Sequence, residues 1–360
     1  MKKLCAITVL LLVALHFAAA QTSVQPYQPG VTEDGVTYFL PRTALRVSLT
    51  CRRTHYSPGA YAAYAAHYLR LNDVTQSEHD VWQIESAGLQ TYGVADPSQA
   101  YTIRMKPKTS APLVGLAADG RLLAVNAEAK PEPVLIGAGV QRVEKPRVDA
   151  ADFQSQDILS AGSVAKMAEL TADEIYDIRE NRALLTKGQA DFMPKDGEQL
   201  RLMLGSLDVQ EAALLSLFKG TETEEVHTFV FDLTPATEGE ASRCLARFSK
   251  WLGVVDADDL SGEALVLDVT PLESLPERAD AAQGGKQKKP VEDLRYIVPG
   301  RASAKLRLGE QELASITFPA AQMGYVEHLG GDLFNKKFTT RVWLSPTTGG
   351  IVQIEGEPQS

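Results

Sequence analysis

The segment ALRVSLTCRRT, residues 44–54, decides how the chain is built. Its apolar side chains fall at every second position, Leu45, Val47, Leu49 and Cys51. A period of two sends successive side chains to opposite faces, so the segment predicts a strand with an apolar inward side. Just before it, VTYFL (36–40) is β-branched and aromatic and predicts another strand. Just after it, YSPGAYAAYAAHYLRL (56–71) predicts a helix. Ser57 suits the N-cap and Pro58 the first helical position. At about 100° per residue, Tyr61, Tyr64 and Tyr68 share an arc of about 60°, extended by Ala65, Leu69 and Leu71. Ala62, Ala63, Ala66, His67 and Arg70 lie opposite. A continuous aromatic and apolar face predicts packing on the neighbouring sheet, because burial stabilises by about 25 cal/mol per Å². The alternative is an exposed tyrosine platform that stacks on sugar rings or a peptide. The alanine side permits close approach by another element, a second protein chain included.

Further strands are predicted at VWQIES (81–86), LQTYGV (89–94) and YTIRMK (101–106). PLVGLAADGRLLAVN (112–126) reads as a hairpin, with Asp119-Gly120 supplying the positive backbone angles of a tight turn. Residues 35–128 thus form an N-terminal β-rich lobe with one helix, and 129–160 a connector. Over 161–220 the period becomes helical. Thr171 and Glu174 suggest a capping box opening ADEIYDIRENRALL, where Ile175, Ile178, Arg182 and Leu185 recur, and Gly188 stops the helix. Leu200, Leu204, Leu207, Leu214 and Phe218 recur along the next helix, which Gly220 ends. A short loop between them predicts an antiparallel helical hairpin.

Residues 221–360 read as a C-terminal β-rich lobe. It opens with an acidic loop, Glu222 to Glu225, and a strand HTFVFDLTP (227–235). A helix over Ala241–Leu252 and a strand EALVLDVTPL (263–272) follow. Polar residues 276–293, with Gly284, Gly285, Lys286, Lys288 and Lys289, predict a disordered loop. RYIVPG, ASAKLRLG and ELASITFP read as strands, and RVWLSPTTGGIVQIEG as a last hairpin that echoes the one at 112–126. The expected fold class is α+β: two β-rich lobes of antiparallel sheet, each with a helix, joined by a helical hairpin.

The N-terminus, MKKLCAITVLLLVALHFAAAQ, has a positive start, a short apolar run from Leu4 to Phe17, and small residues Ala18, Ala19 and Ala20. These are the parts of a secretory signal peptide, predicted over 1–20 with cleavage before Gln21. The apolar run is short for a membrane span. A lipid-bearing cysteine would follow the run, whereas Cys5 lies at its start. Residues 21–34, with Pro26, Pro29 and Gly30, predict a flexible leader. The mature chain, with no integral membrane segment, is expected in the periplasm or outside the cell.

Formal net charge is −10, and loss of Lys2 and Lys3 with the signal peptide makes it −12. An acidic protein repels nucleic acid and anionic lipid headgroups. With 44% hydrophobic residues the chain has enough apolar surface for a buried core. Two cysteines remain, Cys51 on the inward side of its strand and Cys244 on the predicted helix face. Export permits a disulfide between them, but spacing does not settle the pairing.

Little in the sequence points to chemistry. Apart from His16 the histidines are His55, His67, His79, His227 and His328, and none forms a metal-binding pair at helical spacing. Asp256, Asp258 and Asp259 begin like a calcium loop, but Ser261 and Leu267 stand where glycine and a carboxylate are needed. Ser163-Val164-Ala165-Lys166 matches the Ser-x-x-Lys of penicillin-binding enzymes, in which the lysine takes the serine proton. Ser-Asp-Asn and Lys-Thr-Gly are missing, and Thr186-Lys187-Gly188 has the wrong order. Ser163 also suits a helix N-cap.

The order GVTYFLPRTALRV, YSPGAYAAYAAHYLRLNDV, LVGLAADGRLLAVN, ADEIYDIRENRALLT and LSPTTGGIVQI resembles the secreted bacterial family catalogued as domain-of-unknown-function family 4831. The likeness covers most of the mature chain. It implies an exported protein of Gram-negative bacteria related to Bacteroides, and it brings no catalytic residue, cofactor or metal ligand. The reading expected from the residues is a non-catalytic binding, assembly or envelope-structural protein, with an envelope protein or glycan as partner. Two alternatives stand beside it: a serine-type hydrolase using Ser163 and Lys166, and a glycan or peptide binder using Tyr61, Tyr64 and Tyr68.

Overall fold

The computed structural model describes residues 23–26, 35–104, 113–144, 148–236, 241–273, 293–330 and 338–358. The predicted signal peptide, most of the 21–34 leader and all but the last residue of the 276–293 loop lie outside them. The strands are β1 (Ser23–Pro26), β2 (Gly35–Ser57), β3 (His79–Arg104), β4 (Val114–Leu116), β5 (Leu122–Val125), β6 (Gly139–Val143), β7 (Thr221–Leu233), β8 (Ala241–Ser249), β9 (Gly253–Val255), β10 (Glu263–Glu273), β11 (Leu294–Leu308), β12 (Gln311–Leu329), β13 (Phe338–Leu344) and β14 (Ile351–Pro358). The helices are α1 (Ala65–Leu69), α2 (Gln156–Leu159), α3 (Val164–Lys187) and α4 (Gly197–Lys219). The fold is α+β and rich in strand. Among the described residues no helix is long and apolar enough to cross a membrane.

Every strand pairing is antiparallel, apart from one isolated parallel bridge between Phe39 and Arg121. The strands form three sheets, ordered β1-β3-β2-β7-β6, β12-β11-β10-β8-β9 and β14-β13-β5-β4. Two of these sheets draw strands from both predicted lobes: β7 pairs with β2, and β13 pairs with β5. The two hairpins that echo each other in sequence are neighbours in one sheet, with Val125 opposite Val342 and Ala124 opposite Trp343. The 129–160 connector contains β6, a 3-10 turn at Ala150–Phe153 and α2.

The strands expected at 36–40 and 44–54 are one strand of 23 residues, and those at 81–86, 89–94 and 101–106, the last described as far as Arg104, are one of 26. Pro41 lies between the first two, and a proline outside the hydrogen-bonded register does not end a strand. Opposite Pro41, residues Asp96 to Gln99 bulge out, so that Phe39 pairs with Ala100 and Pro41 with Ala95. The same device operates at Pro299. Val298 pairs with Tyr325 and Gly300 with Ala320, leaving Ala321 to Gly324 as an excursion of β12. Gly324 is required there, since a Cβ would sit 1.8 Å from the Val298 carbonyl oxygen.

Two further differences concern charge and period. The predicted acidic loop at Glu222–Glu225 lies inside β7, because Arg52, Arg53 and Arg142 on neighbouring strands neutralise its carboxylates. The predicted helix Ala241–Leu252 is β8 followed by a turn. Pairing with β10 takes up its backbone, and a bulge at Leu245 blurs the period of two. Cys244 therefore lies on a strand, and Cys51 and Cys244 are both free thiols.

Long β2 feeds two of three cores. Tyr38 and Leu40 join Leu122, Val125, Leu294, Ile297, Val342 and Leu344 in one cluster. Leu45, Val47, Leu49 and Cys51 face Leu265, Leu267, Ala304, Leu306 and Phe318, forming a sandwich of two sheets. The third core lies in the helical unit beyond the end of β2. The tyrosine segment is shorter than expected, a 3-10 turn at Ala62–Tyr64 leading into five-residue α1, and Ser57 ends β2 instead of capping a helix. Its aromatic face packs on the helical hairpin and not on a sheet. Tyr61 is buried against Phe218 at 5.4 Å between ring centroids, and half-buried Tyr64 and Tyr68 pack on the same cluster with Ile175, Ile178 and Leu214. Full burial of a side chain such as Ile175, Leu214 or Phe218 contributes about 1.5–3 kcal/mol.

The hairpin stops where expected, at Gly188 (φ +69) and Gly220. Its first helix begins earlier than the Thr171–Glu174 box predicted. Ser163 is the N-cap, and buried Thr171 donates its hydroxyl to the Met167 carbonyl at 2.8 Å. Glu211 of α4 accepts from Arg179 and Arg182 of α3, and these bonds hold its carboxyl below the ordinary range although burial opposes them.

The three sheets meet at Thr43. β7 pairs with β2 only from Leu45 onward, so Thr43 has no strand on that side. Gln322 of the β12 excursion replaces it: Thr43 N–H donates to Gln322 Oε1 at 2.9 Å, and Gln322 Nε2 donates to the Thr43 carbonyl at 3.0 Å. Thr43 Oγ1 accepts from Ala321 N–H at 2.9 Å and donates to the Thr347 carbonyl at 3.1 Å, in the β13–β14 turn. Removing one partner of a buried hydrogen bond costs about 1–3 kcal/mol. Thr43→Val keeps shape while orphaning two groups, so it is expected to lower unfolding free energy by about 2–4 kcal/mol in denaturant titration, whereas half-buried Thr54→Val, outside this junction, changes it by less than about 1 kcal/mol.

Candidate functional site

The alternation that buries Leu45, Val47, Leu49 and Cys51 continues past the sandwich as Arg53, His55 and Ser57. The same face thus turns from apolar to ionisable. Neighbouring strands add to it in register. Arg53 lies between Trp82 of β3 and Glu225 of β7, His55 between Asp80 and Thr223, Ser57 beside Thr221, and Arg142 of β6 beside Glu225.

Charges alternate across the four strands. Arg142 Nη2 lies 3.3 Å from Glu225 Oε1, Arg53 Nη1 lies 3.4 Å from Glu225 Oε2, and Arg53 Nη2 lies 2.8 Å from Asp80 Oδ2. The Arg53 guanidinium also stands over the Trp82 ring, 5.9 Å from its centroid. The turn after β8 clamps Trp82: its backbone N–H donates to the Lys250 carbonyl at 2.7 Å, and Gly253 lies so close that a Cβ would meet the indole at 2.7 Å. His227 packs against Trp82 in a tilted arrangement, 4.8 Å between ring centroids, and reaches Glu225 at 3.3 Å.

At the helical end of this ladder, His55 Nδ1 lies 2.8 Å from Asp80 Oδ1, and Nε2 lies 3.3 Å from Ser57 Oγ. Glu78 Oε1 also approaches Nε2, at 2.9 Å. A serine, an imidazole and a carboxylate joined through opposite ring nitrogens are the parts of a nucleophile with its base. Here the nitrogen that would serve as base is shared with a second carboxylate.

Beside this end opens a cleft of about 1290 Å³. It separates the edge of the sheet, Arg142 and Val143 with Thr221 and Thr223, from Val209, Ala212, Ala213 and Leu217 of α4. Pro58, Gly59 and Ala60 close one end. The chain leaves β6, builds the helical unit, and returns through α4 to β7, so the cleft lies where that excursion departs from the sheet.

The residues singled out in the sequence lie elsewhere. Ser163 Oγ accepts the Lys166 backbone N–H at 3.2 Å as a helix cap. Lys166 Nζ lies 2.9 Å from Glu169, whose carboxylate raises the ammonium pKa above its ordinary value. Ser163 thus serves as a helix cap and Lys166 as one half of an ion pair. Asp259 closes a turn with Ser261 N–H at 2.9 Å. Cys51 is buried in the sandwich, which pushes its thiol up to about 12. His67 is exposed, His79 meets the Ser77 carbonyl, and His328 meets Arg295. Among the described residues no group of three or more His, Cys, Asp or Glu side chains is arranged to hold a metal ion. The cluster at His55 was signalled in the sequence only by polar residues continuing an apolar alternation. Its partners Glu78 and Asp80 emerge from strand register.

The ladder makes stability pH-dependent. Arg53 holds the Asp80 carboxyl below its ordinary value against the opposing effect of burial, and His55 adds to this. His227 does the same for Glu225, helped by Arg142 and Arg53. A depressed folded-state pKa contributes stability that is complete above the unfolded value and lost as pH falls through the folded one. The melting temperature is therefore expected to hold down to about pH 5 and to fall progressively below about pH 4. Glu225→Gln should lower it at neutral pH and make the acid decline shallower.

A family model described as "Domain of unknown function (DUF4831)" matches residues 34–352. No curated protein and no solved structure gives a match.

Proposed function

The chain belongs to the DUF4831 family, and on that premise we propose that it is an exported binding or assembly protein of the cell envelope that receives its partner in the cleft between α4 and the β6–β7 edge. The cleft carries this reading. It is large enough for a peptide side-chain cluster or a short glycan, and two rigid elements fix its walls. Its lining is mixed, with Val209, Ala212 and Leu217 facing Arg142, Thr221 and Thr223. The use of Ser163 and Lys166 as cap and ion pair supports binding over the alternative of a hydrolase built on that pair. Packing of Tyr61, Tyr64 and Tyr68 into the helical core argues against a tyrosine platform.

Export rests on the N-terminal pattern, a positive start, a short apolar run and three alanines before Gln21. Mass analysis of protein recovered from the envelope fraction is expected to give a mature chain starting at Gln21; an intact Met1 chain in the cytoplasm would reject export. Ala212 is exposed on the cleft wall, so Ala212→Arg fills the opening without touching a core. The variant is expected to melt like wild type and to lose the partners that the tagged mature protein retains from envelope extracts. Undiminished recovery of the same partners would exclude the cleft.

A further inference from the structure

We propose that Ser57 is a latent nucleophile, activated by His55 and restrained by Glu78, that accepts the acyl group of small esters from the adjoining cleft. This goes beyond binding, which needs no reactive group. Four observations carry it. The hydroxyl lies 3.3 Å from His55 Nε2 while Asp80 holds Nδ1 at 2.8 Å, the relation in which an imidazole takes a serine proton and a carboxylate fixes the ring. Ser57 pairs with Thr221 and is followed directly by Pro58, Gly59 and Ala60, all of which line the cleft. Apolar Val209 and Leu217 on the facing wall suit a short acyl chain. Gly59 and Ala60 carry backbone N–H groups with no acceptor among the described residues, which are available to a developing oxyanion.

The chemistry closes with water as its co-reactant. Ser57 Oγ bonds to the ester carbonyl carbon as His55 Nε2 takes the hydroxyl proton. The bond from that carbon to the alkoxy oxygen breaks, and the leaving oxygen takes the proton from Nε2 and departs as the alcohol. Water then attacks the acyl-serine, giving one proton to Nε2; the acyl–Oγ bond breaks, the acid leaves, and the proton returns to Ser57. No oxidation or reduction occurs. Glu78 sets the resting state. Its carboxylate lies nearer to Nε2 than the serine hydroxyl does, and its side chain is 64% exposed and free to swing away. Asp80 acts through the ring and is a positioning residue.

The test uses the mature chain, a small fluorophosphonate probe and peptide mapping by mass spectrometry. Label is expected on Ser57, absent in Ser57→Ala and slowed about a hundredfold in His55→Ala, the scale of a lost general base. Glu78→Ala is expected to label faster than wild type, the opposite of what a merely structural ion pair would give. In Asp80→Asn the imidazole ¹⁵N shifts of His55 are expected to report a changed tautomer. Hydrolysis of p-nitrophenyl acetate should follow the same order among the variants. Absence of Ser57 label in both wild type and Glu78→Ala, each with a normal melting curve, overturns the proposal. Label on Ser163 overturns the assignment of the serine, and slower or unchanged labelling in Glu78→Ala overturns the restraint.

Discussion

The architecture depends on one hydrogen-bonded junction. At Thr43 the central strand β2 has outrun its neighbour β7, and a buried backbone N–H and C=O need partners. The Gln322 side-chain amide supplies both, so one glutamine stands in for a missing strand. The Thr43 hydroxyl binds the next sheet and the terminal turn. Around this point the strand passes from one hydrophobic core to another, and the three sheets keep a fixed relation. Buried Arg121 ties the same region further, reaching Asp119, Glu132 and the Pro346 carbonyl. Gly93 lets the backbones close there, since a Cβ would lie 2.0 Å from the Pro346 oxygen.

Sequence reasoning succeeded where a short-range rule fixes structure. The alternation at Leu45 to Cys51, the Asp119-Gly120 turn, and the helix stops at Gly188 and Gly220 depend on neighbours a few residues away. It failed where distant partners decide. Glu222 to Glu225 looks like an acidic loop until arginines from two other strands are placed beside it. Ala241 to Leu252 fits a helical period equally well until β10 takes up its backbone. Pro41 and Pro299 look like strand ends until the bulges opposite them are known. The candidate site shows the same split. Arg53, His55 and Ser57 share a face by simple periodicity, but Glu78, Asp80 and Glu225 join them through register, which no single segment encodes.

The ladder beyond Cys51 also shows how one strand serves two purposes. While β2 faces the second sheet, its inward side is apolar and contributes burial. Where that cover ends, the same side carries paired charges, which tolerate water and still link four strands. Pairs that remain open to water contribute little individually. Their effect here is to hold the His55 ring, the Ser57 hydroxyl and the cleft mouth in a fixed relation, anchored by Trp82 under the turn after β8.

The pairing of Val125 with Val342 has a consequence for the order of assembly. A sheet that joins residues so far apart cannot close until more than 200 further residues have followed its first half. Contacts of such span are slow to form, since a long loop must close before any bond rewards it. The polypeptide therefore emerges with β2 and β3 able to pair early but with their final neighbours missing. In that interval the chain is a pliant thread with open strand edges and not a finished particle.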